Sequence, residues 1–138
     1  MPKQESYTTN IVVKQFKSDG RFYFNSKGTS YGGGNGRADI DTCDKNGIYV
    51  GMEIKREKIG KVYPNQLRKG AWIAASGCRY IVAYPDFKIE NLDNHDIPIV
   101  TYTDEDMKTP RYTFELVIDT TKEYYIEKGG FYYVEQGD

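Results

Sequence analysis

Gly36-Arg37-Ala38-Asp39-Ile40-Asp41-Thr42-Cys43-Asp44-Lys45-Asn46-Gly47-Ile48-Tyr49-Val50-Gly51-Met52-Glu53-Ile54-Lys55 reads as two extended runs around a turn. The first run is predicted as a strand over Ala38-Asp39-Ile40-Asp41. Asn46-Gly47 is a strong turn signal, because the central residues of a tight hairpin turn need positive φ. Ile48 to Lys55 is β-rich and alternates at its end, so the pair is predicted as a β-hairpin. Side chains alternate across a strand, which puts Glu53 and Lys55 on one face and Met52 and Ile54 on the other. Asp39 and Asp41 share a face of the first strand. Pairing through the turn then brings one of these carboxylates near Glu53.

Two carboxylates held together repel, and a hard cation relieves the repulsion. Mg²⁺ suits such a place because it takes a few carboxylate oxygens and keeps several waters. Lys55 beside it could position or deprotonate a water and offset charge on a phosphoryl oxygen. On these three residues alone, a solvated hairpin face with a cross-strand ion pair is the plainer reading and stands ahead.

Outward from the hairpin, the periodicity predicts a helix from Ser6 to Lys17, with Tyr7, Ile11, Val12 and Phe16 near helical spacing. Ser6 can cap it and Asp19-Gly20 can stop it, although Thr8, Thr9, Val12 and Val13 are poor helix formers. Arg21 to Asn25 reads as a short extended segment. The loop that follows contains Gly32-Gly33-Gly34-Asn35-Gly36. It lacks the Gly-Lys-Ser/Thr ending of a phosphate-binding loop and leads into a strand, so a flexible loop is the reading. A second helix opens at Pro64, carries Leu67, Ala71, Ala74 and Ala75 as its stripe, and stops at Gly77. Cys78 to Tyr84 is a buried-type strand, ended by Pro85. This order is an α/β pattern. Residues 86–109 are acidic and show no clear element except Ile97 to Tyr102, an edge strand because of Pro98. Tyr112 to Asp119 alternates, and Lys128-Gly129-Gly130 lies between two aromatic runs as a second hairpin.

The 138 residues suffice for one domain with a core. Hydrophobic residues are only 38%, but 13 Tyr and 6 Phe argue against disorder. No apolar run approaches a membrane span, and the start lacks the apolar segment of a signal peptide, so a cytoplasmic location is expected. Cys43 and Cys78 are too few for a disulfide framework and read as free thiols in a reducing compartment. The net charge of -1 hides an asymmetry: residues 1–70 carry +6 and residues 71–138 carry -7. A globally basic DNA-binder is excluded, a basic face on the first half is allowed, and mutual neutralisation across the fold is the plainer reading.

Gly36-Arg37-Ala38-Asp39-Ile40, an apolar strand ending in Glu53-Ile54-Lys55, Gly60, Gln66 in a helix, then Gly77 and a hydrophobic strand follow one another in an order that resembles the PD-(D/E)XK nuclease superfamily. It is closest to the small virus-type (VRR) nuclease modules and the Holliday-junction resolvases. The resemblance covers about residues 6–85. It implies a restriction-endonuclease-like mixed central sheet flanked by helices, within a single domain over 1–138 that has a β-rich C-terminal addition beyond about residue 86. It implies that Asp39 and Glu53 are the metal-binding acids, that the Ile54 carbonyl is a backbone ligand, that Lys55 is the catalytic lysine, and that Gln66 faces the active site. The reaction implied is hydrolysis of a DNA phosphodiester with Mg²⁺ or Mn²⁺. Two departures stand out. Ala38 occupies a place where the family has Pro. The family's first-helix Glu has only Glu5 as its counterpart, about a turn ahead of Thr8 and Thr9. Either the helix begins sooner and Glu5 joins the metal site, or that ligand is missing and the site is weakened. Asp41 is a rival for Asp39, which has the matching context.

Lys27, Arg56, Lys58, Lys61 and Arg68 are candidates for phosphate contacts. An ordinary Lys-rich loop and solvated helix face account for them equally well. His95 stands alone in a polar stretch, which argues against zinc. The C-terminal Tyr pairs read as cover for a sheet or a subunit interface. The function expected is that of a metal-dependent DNA endonuclease, resolvase-like and acting on branched DNA. It would work as a homodimer because two cuts need two sites. A phage or mobile-element origin, hence the cytoplasm of a host cell, follows from the resemblance alone. Two other readings remain open. One is a catalytically inactive nuclease-fold protein that binds DNA or a partner protein. The other is an interaction protein whose acidic, Tyr-rich half mimics DNA.

Overall fold

The computed structural model describes residues 5–26, 38–57, 60–103 and 109–135. The glycine loop, Lys27 and Lys58 lie outside the described residues. In chain order the elements are α1 (Glu5–Asp19), β1 (Tyr23–Asn25), β2 (Ile40–Cys43), β3 (Tyr49–Ile54), α2 (Pro64–Ala75), β4 (Arg79–Ala83), α3 (Ile89–Asn94), β5 (Ile99–Thr101), β6 (Phe114–Val117), β7 (Tyr124–Glu127) and β8 (Gly130–Tyr133). This is a mixed α/β fold on a six-stranded sheet of order β1-β2-β3-β4-β6-β5, with β7-β8 as a separate hairpin.

The β2–β3 hairpin forms around the predicted turn. Ile40 pairs with Met52 and Cys43 with Tyr49, antiparallel. In the turn, Gly47 takes φ 82, and Asp44 Oδ1 accepts the N–H groups of Asn46 and Ile48. Parallel pairing of β3 with β4 sets Glu53 beside Val82 and Ile54 beside Ala83. The crossover between these two strands carries α2, as a parallel pair requires.

Strand alternation sorts the core into two layers. Val50, Met52 and Ile54 join Ile81 and Ala83 on one face, under Val12 and Phe16 of α1 and Leu92 of α3. Tyr80, Val82, Phe114 and Leu116 occupy the other face, under Leu67 and Ala71 of α2 and Phe131 and Tyr133 of β8. Contact between α2 and Tyr80 is close: a β-carbon on Gly70 would fall 2.4 Å from the Tyr80 ring.

Three expectations need correction. First, α1 starts at Glu5 rather than Ser6. Its weak helix formers are used in tertiary structure: Thr8 is buried and its hydroxyl donates to the Lys55 carbonyl at 2.9 Å. Second, the first strand of the hairpin is Ile40–Cys43 rather than Ala38–Asp41. Beyond residue 85 the chain returns to the same sheet. β6 pairs with β4 through Tyr80–Leu116, Ile81–Glu115 and Val82–Phe114, and β5 flanks it as the edge. Only β7-β8 stands apart. Third, α3 has just Ile89 and Leu92 as buried residues, too few for a periodic signal. It is held instead by Gln15 of α1, whose amide donates to the Phe87 carbonyl and accepts the Ile89 N–H. Among the described residues, no helix is long and apolar enough to cross a membrane.

Candidate active site

Asp39 lies just before β2 and is clipped to β3 twice. Its N–H donates to the Met52 carbonyl at 2.9 Å, and its Oδ2 accepts the Ile54 N–H at 2.8 Å. The carboxylate therefore sits beside the backbone that carries Glu53. Glu53 and Lys55 project from β3 and its end toward the α2 layer, each only 3% exposed. Lys55 is fixed by its N–H, which donates to the Ala83 carbonyl.

Gln66 joins the two. It is the third residue of α2, and Pro64 opens that helix. Its Nε2 donates to Glu53 Oε1 at 2.8 Å. Its Oε1 accepts Lys55 Nζ at 3.0 Å and the Tyr63 N–H at 2.9 Å. Both groups at Oε1 are obligate donors, so the amide has one chemically sensible orientation. Lys55 Nζ also lies 3.9 Å from Glu53 Oε1 and 5.4 Å from the centroid of the exposed Tyr63 ring.

Gln66 serves Glu53 at Oε1, and Oε2 is buried with no hydrogen-bond partner among the described residues. Burial is the main cause that pushes the Glu53 pKa up to about 9; the negative charge of Asp39 adds to it, Lys55 opposes it, and Glu5 contributes a smaller rise. Glu5, in the first turn of α1, is thus within electrostatic reach of the site. An acid buried beside another acid, with a lone pair unserved, is the environment that a divalent cation satisfies. Two carboxylates with water completing the shell make an adequate hard-oxygen set for Mg²⁺ or Mn²⁺. Among the described residues, no three His, Cys, Asp or Glu side chains gather as a ready ligand cluster.

The rival Asp41 is one row removed, opposite Gly51, and accepts the Tyr49 hydroxyl. Of the candidates for phosphate contact, Arg56 is half-buried just past Lys55 and Lys61 is exposed ahead of α2. Arg68 faces elsewhere. Two residues past Gln66 it has turned about 200° around the helix, and its guanidinium lies 5.5 Å from the Tyr132 ring of β8. His95 is exposed at the C-cap of α3. Both cysteines are free thiols.

Sequence reasoning missed Thr8, Tyr63 and Tyr80 at this site. Tyr80 had a signal: alternation along β4 puts it on one face with Val82, and parallel pairing with β3 makes that the face of Glu53. Thr8 depends on a contact across the fold that no local pattern encodes, whereas Tyr63 had a local signal, as the residue before Pro64 whose N–H donates to Gln66 three residues on. The chain matches no protein-family model, no curated protein and no solved structure.

Proposed function

We propose that this chain is a metal-dependent DNA endonuclease of the PD-(D/E)XK type. The observation that carries this reading is the convergence of Asp39, Glu53, Lys55 and Gln66 on one side of the sheet, with Glu53 buried and its Oε2 unserved. Asp39 and Glu53 would hold Mg²⁺ or Mn²⁺, with the Ile54 carbonyl and Glu5 as further oxygen donors. When bound, the cation supplies charge neutralisation at the phosphate and a more acidic water. Lys55 keeps an ammonium beside that place, oriented by Gln66. It can donate to a phosphoryl oxygen or align the attacking water, and burial strengthens both effects. Gln66 also holds Glu53 Oε1, so one amide fixes the spacing of acid and base.

Arg56 and Lys61 flank the approach and would neutralise phosphates, which makes binding weaken as salt rises. A symmetric cut in branched DNA needs two such sites, so two copies of the chain would act together. The test is cleavage of linear and branched DNA with Mn²⁺ and with EDTA. Cutting that requires the metal and disappears in Glu53→Ala and Lys55→Ala supports the reading. No cutting of any substrate, with no Mn²⁺ uptake by calorimetry, overturns it.

One observation favours a second reading, a nuclease fold that binds DNA or a protein without cutting. The absence of a three-acid cluster among the described residues agrees with a weakened site. Mn²⁺ uptake and DNA retention without any product would select it.

A further inference from the structure

Two buried side-chain atoms lack a hydrogen-bond partner among the described residues: Glu53 Oε2 and Tyr80 Oη. Unserved buried polar groups are rare and call for an explanation. With Glu53 ionised, these two are complementary, one an acceptor and the other a hydroxyl donor. They also share a face of neighbouring strands, since Tyr80 pairs with Gly51 and Val82 with Glu53. Gly51 carries no side chain to separate them.

The surrounding donors are already engaged. The Tyr49 hydroxyl donates to Asp41. Gln66 Nε2 donates to Glu53 Oε1 and Lys55 Nζ to Gln66. Among the described residues, the Tyr80 hydroxyl is the buried donor left without a partner. Its ring is completely buried and held under α2, where Gly70 leaves room for the ring and for nothing more. The hydroxyl is thus a fixed point, and the Glu53 side chain is the part that can adjust.

We propose that Tyr80 is a positioning residue of the site: its hydroxyl donates to Glu53 Oε2 as a divalent cation is taken up, and fixes the direction from which that carboxylate meets the ion. This rests on the cation-binding reading above. Outer hydrogen bonds to ligating carboxylates commonly govern metal affinity by ten-fold or more.

The test is Mn²⁺ titration by calorimetry of the full chain, as wild type, Tyr80→Phe and Glu53→Gln, with melting temperatures recorded in EDTA. Tyr80→Phe is expected to melt no lower than wild type and to bind Mn²⁺ about ten-fold more weakly; Glu53→Gln is expected to lose binding. Equal affinity in wild type and Tyr80→Phe, with binding lost in Glu53→Gln, overturns the role of Tyr80 and leaves the cation site standing. A wild type that takes up no Mn²⁺ overturns both. Should Tyr80→Phe not fold, 3-fluorotyrosine placed at position 80 reports on the native chain. Its ¹⁹F resonance should move on adding Mg²⁺, and a resonance that stays put while Mg²⁺ binds overturns the proposal.

Discussion

Glu53 carries the clearest pH signature of any single residue. Its pKa rises from 4.5 to about 9 in the folded chain, first because it is buried and then because Asp39 repels its charge. Between these two values the folded protein keeps a proton that the unfolded chain has released. Raising the pH therefore favours unfolding through that window, by up to about 1.4 kcal/mol per pH unit. The stabilising contribution is complete below 4.5 and gone above 9. Glu53→Gln has no proton to lose, so its stability relative to wild type is expected to climb from pH 5 to pH 9. Urea unfolding in EDTA at several pH values checks this, and a flat difference contradicts it. For Lys55 the expectation concerns rate. Lys55→Met keeps the stem and removes the ammonium that Gln66 orients. Cleavage should fall by about a hundredfold or more, with Mn²⁺ affinity changed far less, as single-turnover assays and calorimetry would separate.

At the level of elements, two contacts hold the site in shape. Gly70→Ala sets a small gain in helix propensity, about 1 kcal/mol, against a β-carbon 2.4 Å from the Tyr80 ring. Overpacking of this kind costs about 1–3 kcal/mol, so the variant is expected to be less stable and to push α2, with Gln66, away from Glu53. Chemical denaturation and Mn²⁺ affinity should fall together. At the far end of β4, Arg79 donates to Asp44, to Glu115 and to the Leu92 carbonyl. It thereby ties the hairpin turn, α3 and β6 to one strand. Arg79→Met strands two carboxylates, one of them fully enclosed, at a cost of about 3–5 kcal/mol, readable as a loss of urea midpoint. The sequence revealed these elements unevenly, for physical reasons. The β2–β3 hairpin was legible because Asn46-Gly47 and a two-residue alternation are local signals, and the shared face of Glu53 and Lys55 follows from the alternation. Arg79 has partners at positions 44, 92 and 115, which no local window contains. Thr8 reads only as a poor helix former until its hydroxyl is seen on the Lys55 carbonyl.

Across the whole molecule, the opposite charges of the two halves are partly matched within the fold: Arg21 meets Asp93. That agrees with neutralisation and lessens the acidic surface available for mimicry of DNA. The sheet joins the halves as well. Its long-range pairing, Tyr80 with Leu116 and Val82 with Phe114, joins residues far apart along the chain, which no local pattern reveals. A chain ended after residue 103 loses Phe114 and Leu116, both buried, along with Phe131 and Tyr133 from the layer over α2. Large core side chains are each worth about 2–5 kcal/mol when truncated, and a domain's entire stability is about 5–15 kcal/mol. The shortened chain is therefore expected not to fold, and to lose Mn²⁺ uptake with its structure. A chain ended after Asp119 keeps β6 and the complete six-stranded sheet, but uncovers the outer side of α2. It should fold with reduced stability and keep the Asp39–Glu53 pair. Circular dichroism melts and Mn²⁺ calorimetry on the two truncations distinguish these outcomes. A cooperative melt and normal Mn²⁺ uptake in the 103-residue chain would show that β6 is dispensable to the core.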